Sequence, residues 1–103
     1  MEFELLTIRD CPHGSAARKL FSRAMEFEGH EPAFIAVREI MTDEEAEACG
    51  FHGSPTFMAD GIDLFPSTAD PAMTCRVYRT AGSLSGLPSL ESLRHAIQAR
   101  RAG

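Results

Sequence analysis

The order of apolar and polar stretches along the first part of the chain predicts a strand, a helix and a second strand. Residues 3–9 form a short, nearly continuous apolar run, which is typical of a strand buried on both faces. From Ser15 the apolar residues recur at helical spacing as far as Gly29, a residue type that commonly ends helices. After Pro32, residues 33–37 form another apolar run, and we predict a second buried strand there.

Two local signals organise the middle of the chain. The stretch TDEE has the form of a capping box with Thr42 as the N-cap, so it predicts a short helix over residues 43–49. The stretch TFMADGIDLF predicts a β-hairpin, because an Asp-Gly pair between two apolar runs favours a tight turn. We predict its antiparallel strands over residues 56–59 and 62–65.

The last part of the chain predicts a long connection followed by a helix. Residues 66–88 contain several prolines and glycines and show weak periodicity, so we expect a connection with at most one strand, over residues 75–80. Connections of this length in a small domain are usually functional or disordered. After Ser89, an apolar stripe at helical spacing, with cations in the last turn, predicts a closing amphipathic helix. The stripe consists of Leu90, Leu93, Ala96 and Ile97.

This order of elements predicts an α/β fold with a four-stranded mixed sheet flanked by three helices. The 103 residues are enough for one core, and we expect a single domain over residues 1–103. With 44% hydrophobic and 24% charged residues, the composition is that of an ordinary globular protein. A formal net charge of −5 provides no basic footprint for nucleic acid, which we exclude as a partner.

The compartment and the cysteines bear on the chemistry. The first residues, MEFE, lack the basic region of a secretory signal, and no apolar run approaches membrane-spanning length. We therefore expect a cytoplasmic protein without a membrane partner, whose thiols are mostly reduced.

Cys11, Cys49 and Cys75 form neither a CxxC pair nor a zinc-binding framework, so we predict no metal and no cofactor. Cys49, at a predicted helix end, is interpreted as a buried structural residue.

Two motifs make the chain resemble the thioredoxin-like superfamily. The first is CPHG, which begins at Cys11 directly after the first predicted strand. The second is similar, residue for residue, to the family pattern of Gly, a bulky apolar residue, any residue, Gly, any residue, Pro and Thr. It is formed here by Gly50, Phe51, His52, Gly53, Ser54, Pro55 and Thr56. The predicted order of elements is that of the minimal thioredoxin fold, so the resemblance covers most of the chain except residues 66–88.

The resemblance implies that Cys11 is the nucleophile of a thiol-disulfide oxidoreductase. The thiolate is the reactive form in disulfide exchange, and the start of a helix stabilises negative charge. His13 would add positive charge or a hydrogen bond, as the histidine of CPHC oxidoreductases does, whereas the Asp10 carboxylate acts in the opposite direction. The substrate would be a protein or a low-molecular-weight thiol or disulfide.

The resemblance also implies how a ligand is held. It implies a cis peptide bond between Ser54 and Pro55, and a backbone at Ser54 that pairs with a bound peptide or thiol ligand. Pro12, Pro55 and Thr56 are the other implied ligand-binding residues. The hairpin should bring this loop to the end of the sheet where Cys11 emerges.

Gly14 stands where a dithiol site has its second cysteine, so a mixed disulfide at Cys11 must be resolved in another way. One route is an external thiol such as glutathione. The other is a distal cysteine, Cys75, because the segment of residues 66–88 is tethered at both ends beside the site. A Cys11–Cys75 disulfide requires Cα atoms within roughly 7 Å of each other.

Three other interpretations remain open on the sequence alone. In the first, Cys11 is a structural residue packed at a helix start, and Pro12 is an ordinary first helical residue. Gly14 favours a non-catalytic binding module that retains the fold but has lost dithiol chemistry. A pair of Cys11 and Cys75 would suit a thiophilic metal ion or an organomercurial, since some small chains with similar CPH and SPT motifs are described as alkylmercury lyase-like.

Overall fold

The computed structural model of the protein describes residues 2–31, 35–66, 71, 73–74, 76–80 and 83–102. Strands and helices alternate through the first half, as predicted, and the closing helix is present. In chain order the elements are β1 (Phe3–Ile8), α1 (Gly14–Phe27), β2 (Ile35–Ile40), α2 (Asp43–Cys49), β3 (Thr56–Ala59), β4 (Ile62–Asp63), β5 (Tyr78–Thr80), β6 (Ser83–Ser85) and α3 (Leu90–Ala102).

The main sheet has four strands in the order β2-β1-β3-β4. β1 pairs in parallel with β2 and antiparallel with β3, and β3 pairs antiparallel with β4. The register sets Leu5 opposite Phe57 and Leu6 opposite Thr56. The prediction of an α/β fold with a four-stranded mixed sheet and three helices is therefore confirmed.

Both faces of the sheet are covered, because successive side chains of a strand point to opposite faces. Leu5 belongs to the larger core cluster, which contains buried residues of α1 and α3. Leu6 belongs to a smaller cluster with Ile40, Ala46 and Phe51. All of these side chains are fully or almost fully buried. The continuous apolar run of β1 is thus explained by burial on both faces.

The helix signals in the sequence correspond to observed caps. The Thr42 hydroxyl accepts a hydrogen bond from the Glu45 amide at 3.1 Å, and α2 ends at Gly50, whose φ of +65° is readily adopted by glycine. The Ser89 hydroxyl accepts from the Ser92 amide at 3.1 Å at the start of α3. No helix within the described ranges is long and apolar enough to cross a membrane.

The second strand differs from its prediction. β2 covers Ile35–Ile40 and so extends beyond the predicted 33–37, of which residues 33 and 34 lie outside the described residues. Pairing with β1 accounts for the extension, because Leu6, Thr7 and Ile8 have Arg38, Glu39 and Ile40 as partners. Only the two terminal isoleucines of β2 are buried. The prediction of a buried strand is wrong, because β2 is the edge of the sheet rather than its interior.

The connection after β4 is more structured than predicted. β4 covers only Ile62–Asp63, and β5 and β6 form a separate antiparallel two-stranded sheet in which Tyr78 is opposite Ser85. β5 lies within residues 75–80, where a strand was expected, whereas β6 was not predicted. The apolar residues Val77 and Leu84 of this region are exposed. Tyr78 alone of these three joins the core.

Candidate functional site

Cys11 lies in the turn between β1 and α1. Its amide donates to the Ile8 carbonyl at 3.3 Å, and its carbonyl accepts from the Gly14 amide at 3.2 Å. Asp10 has a φ of +56°, a conformation that aspartate tolerates better than most residues, and it turns the chain out of β1. Cys11 is partly exposed and lies three residues before Gly14, the first residue of α1.

Gly14 lies close to Cys11 in this turn. A Cβ atom placed on Gly14 would lie 3.9 Å from the Cβ of Cys11. Disulfides have Cβ–Cβ distances of about 3.5–4.5 Å. A side chain at position 14 would therefore have its Cβ atom within disulfide range of the Cβ of Cys11.

The side chain of His13 packs against the segment that follows β6. His13 is the N-cap residue of α1 but makes no capping hydrogen bond with its side chain. A Cβ atom on Gly86 would overlap its imidazole ring, so only glycine leaves room for the observed position of the ring. Pro12, between Cys11 and His13, is exposed and precedes the N-cap, so it is not the first residue of the helix.

The second motif is buried and linked to the end of β1. The Ser54–Pro55 peptide bond is cis, and Ser54, Pro55 and Thr56 are buried. The Ser54 hydroxyl accepts a hydrogen bond from the Ile8 amide at 3.2 Å. The carbonyl of Ile8 in turn accepts from Cys11. One residue at the end of β1 therefore connects the cysteine turn with the proline loop, and the two motifs are brought together.

The backbone of Ser54 is paired with a distant part of the chain. Its amide donates to the Thr74 carbonyl at 2.7 Å, and its carbonyl accepts from the Arg76 amide at 2.9 Å. These two partners flank Cys75 in the sequence. Cys75 itself lies outside the described residues, and the predicted Cys11–Cys75 pair with it.

The side chain of Arg76 joins several elements around this loop. Its guanidinium donates to Asp63 at 2.8 Å, to the Thr56 hydroxyl at 3.4 Å and to the carbonyl of Phe65. The Arg76 and Asp63 side chains are only 8% and 12% exposed, so the ion pair is largely withdrawn from water. Thr56 extends this hydrogen-bond network to Gly53, because its hydroxyl donates to the Gly53 carbonyl at 2.6 Å.

Tyr78 connects the same network to the hydrophobic core. Its hydroxyl donates to the carbonyl of Pro55, and its ring packs edge-on against Phe57 and Phe65. The Arg76 guanidinium lies over the same ring, 4.8 Å from its centre. Burial raises the pKa of Tyr78 well above its ordinary value, and the nearby Arg76 only partly offsets this effect. The phenol is therefore held in its protonated, hydrogen-bonding form.

The sequence also predicts a structural role for Cys49 and no metal site. Cys49, at the end of α2, is partly buried against the smaller core cluster. Cys11 and Cys49 are both free thiols. Within the described part of the chain, no group of three histidine, cysteine, aspartate or glutamate side chains is arranged to hold a metal ion.

Sequence reasoning missed Arg76, Tyr78 and Gly86 as parts of this region. The available signal was weak: Tyr78 is the single tyrosine of the chain, and it falls in a segment without an apolar pattern. Its importance follows from contacts with residues more than twenty positions earlier.

Comparison with known proteins gives no further guide to the site. No protein-family model matches the chain, and neither the curated proteins nor the solved structures include a significant match.

Proposed function

We propose that the protein is a thiol-disulfide oxidoreductase of the thioredoxin-like superfamily with Cys11 as its nucleophile. The observation that carries the proposal is the pairing of the Ser54 backbone with the residues on either side of Cys75. Through its side chain, Ser54 also bonds to Ile8, which in turn bonds to Cys11. A chain of hydrogen bonds thus leads from Cys11 to the sequence neighbours of a second cysteine.

The architecture supports the same proposal. A β2-β1-β3-β4 sheet, with β1 and β2 parallel and a cis-proline directly before β3, agrees with the minimal fold that the motifs imply. The dimensions of the Cys11 turn agree as well, because position 14 stands at a distance suited to a disulfide. A purely structural role for Cys11 is less well supported, since Cys11 is partly exposed and belongs to neither core cluster.

The first chemical step is attack by the Cys11 thiolate on one sulfur of a substrate disulfide, R–S–S–R. A Cys11–S–S–R bond forms and the substrate S–S bond breaks. One thiolate, RS⁻, leaves with the electron pair of that bond and takes a proton from solvent. Cys11 lies just before the start of α1, and the imidazole of His13 packs against Gly86.

The second step removes the remaining R group. If the Cys75 thiolate attacks the sulfur of Cys11, a Cys11–Cys75 disulfide forms and the second RS⁻ leaves, so two electrons pass from the protein to the substrate. If an external thiolate, R′S⁻, attacks the R sulfur instead, R–S–S–R′ is released and the Cys11 thiolate returns. Both routes balance without a further oxidant or reductant.

The test is alkylation of the intact protein across a series of glutathione redox buffers, followed by mass measurement and peptide mapping. We expect Cys11 to form either a disulfide with Cys75 or a mixed disulfide with glutathione, and Cys11→Ser to abolish both. Cys49→Ser is the matched control and should change neither product. Resolution through Cys75 predicts that Cys75→Ser replaces the intramolecular disulfide with the glutathione adduct.

The same experiment separates the competing functions. A Cys11 thiol that stays unreactive near neutral pH would contradict the oxidoreductase proposal and favour a non-catalytic binding module. Stoichiometric uptake of Hg²⁺ that is lost in both Cys11→Ser and Cys75→Ser, without disulfide formation in the redox buffers, would favour a protein that handles thiophilic ions.

A further inference from the structure

The main-chain positions at Ser54 that a bound peptide would use are already occupied within the chain. The amide and the carbonyl of Ser54 bond to Thr74 and Arg76 at 2.7 and 2.9 Å. An extended peptide adding to this loop needs the same donor and acceptor, because strand addition is held by main-chain hydrogen bonds. We infer that the site acts on low-molecular-weight disulfides and thiols rather than on extended peptides. This inference rests on the proposed function and specifies its substrate class.

The segment on Ser54 is firmly attached at several points. Displacing it would separate the Arg76–Asp63 pair and leave a carboxylate without its partner in a largely buried position. It would also remove the Tyr78 hydroxyl from the carbonyl of Pro55. A peptide that displaced the segment would regain only the two Ser54 hydrogen bonds, so the exchange is unfavourable.

The packing beneath Arg76 shows how closely the two backbones approach. A Cβ atom on Gly53 would lie 2.9 Å from the Cβ of Arg76 and 3.2 Å from its Cα and N atoms. Gly53 also has a φ of +117°, which residues with side chains rarely adopt. The loop is therefore shaped to receive this segment of its own chain.

The nucleophile nevertheless remains accessible. Cys11 is partly exposed and the adjacent Pro12 is exposed, whereas Ser54, Pro55 and Thr56 are buried. A small disulfide therefore has access to the thiol from solvent without pairing with the proline loop. An extended peptide gains no main-chain contact from Ser54 that would favour it over a small disulfide.

The test compares two disulfides that share one leaving group. The small probe is N-acetylcysteine amide carrying a nitrothiobenzoate group. The peptide probe is a short extended peptide whose single cysteine carries the same group. The initial release of nitrothiobenzoate is measured in the Cys49→Ser chain, because this first step precedes any resolution. We expect the two rates to agree within about threefold, whereas access to both Ser54 hydrogen bonds would favour the peptide roughly tenfold or more.

A double variant strengthens the test. Asp63→Asn with Arg76→Gln removes the buried ion pair without leaving a single buried charge, and it should loosen the segment. We expect faster amide exchange at Ser54 and Arg76, together with a rise of roughly tenfold in the rate ratio of peptide to small probe. The matched control is Arg38→Gln with Glu45→Gln, which removes an exposed ion pair and should leave the ratio unchanged.

The outcomes distinguish the inference from the proposed function. A tenfold peptide preference in the Cys49→Ser chain would overturn the inference while supporting an oxidoreductase. A loosened variant with faster exchange but an unchanged ratio would also overturn it. If the double variant does not fold, the comparison in the Cys49→Ser chain still decides. If Cys11 reacts with neither probe faster than free N-acetylcysteine amide does, the proposed function itself fails.

Discussion

The turn around Cys11 and the loop around Ser54 meet at the end of β1, but they are held in different ways. Cys11 is partly exposed, and its turn is held by two local backbone hydrogen bonds of 3.3 and 3.2 Å. Ser54 is completely buried and makes three hydrogen bonds to two separate parts of the chain, the end of β1 and the segment with Thr74 and Arg76. The proposed nucleophile and the more firmly bonded part of the site therefore belong to different segments. We therefore expect substitutions around Ser54 to change the stability of the protein and substitutions around Cys11 to change its chemistry.

The largest expected effect on stability comes from the Arg76–Asp63 pair. Arg76→Met leaves the Asp63 carboxylate largely buried without its partner, and we expect a loss of about 3–5 kcal/mol in the free energy of unfolding. Denaturant unfolding followed by far-ultraviolet circular dichroism measures it. The matched control is Arg38→Met, which removes an ion pair with 47% and 28% exposed side chains. That variant should lose about 1 kcal/mol or less.

Restoring neutrality provides a second check on the same pair. The double variant Asp63→Asn with Arg76→Met should recover much of the lost stability, because no unpaired charge remains buried. If Arg76→Met and Arg38→Met were equally stable, the contrast between a buried proline loop and an exposed surface would be contradicted.

A smaller effect is expected at the Tyr78 hydroxyl. Tyr78→Phe keeps the ring packing against Phe57 but leaves the buried carbonyl of Pro55 without this donor. We expect a loss of about 1–3 kcal/mol in the free energy of unfolding, measured by denaturant titration. Reactivity of Cys11 toward a small disulfide should change little. An equally large loss of that reactivity would mean that the two segments are not separable.

The same hydroxyl predicts a dependence on alkaline pH. The raised pKa of Tyr78 means that the folded state holds the phenol proton more tightly than the unfolded state does. This contribution to stability is complete below the ordinary tyrosine pKa of about 10 and is lost as the pH rises above it. Because the chain has one tyrosine and no tryptophan, phenolate absorbance reports this residue alone. Ionisation should coincide with unfolding, and Tyr78→Phe should remove this part of the pH dependence.

The smallest effect on stability is expected at Gly14, where the chemistry should change most. Gly14 is not among the residues with positive φ, and the nearest atom to an added Cβ is the Cβ of Cys11 at 3.9 Å. Gly14→Cys should therefore fold with a stability within about 0.5 kcal/mol of the wild type when reduced. On oxidation the introduced thiol should form a disulfide with Cys11, detected by mass and peptide mapping.

The control for this variant is Gly14→Ser, which should fold equally well and form no such bond. A Gly14→Cys chain that folds but pairs neither thiol under oxidising conditions would show that the Cys11 turn does not have the dimensions of a dithiol site.

Features encoded by neighbouring residues could be predicted from the sequence. The capping box at Thr42 and the Asp-Gly turn after β3 are local signals, and both elements are present at the predicted places. The apolar run of β1 indicated burial on both faces correctly, because it lies in the middle of the sheet. The run that predicted β2 ended too soon, since pairing with β1 continues beyond the apolar residues to Ile40.

The parts of the site that could not be predicted depend on contacts between distant residues. Arg76 and Tyr78 act through Asp63 and Pro55, which lie 13 and 23 positions earlier. The apolar pattern of the segment does not mark those contacts. Its apolar residue Val77, which lies between Arg76 and Tyr78, is exposed. The role of Gly86 depends on His13, which precedes it by most of the chain. Such pairings exist only after the sheet has assembled.

The outer edge of the main sheet has a consequence for self-association. β2 pairs with β1 on one side, and no described strand pairs with it on the other. Val37 is 51% exposed there, but it is followed by the charged and exposed Arg38 and Glu39. Charged side chains on an open strand disfavour its addition to a second molecule. We therefore expect Arg38 and Glu39 to disfavour edge-to-edge association of two molecules in concentrated solution.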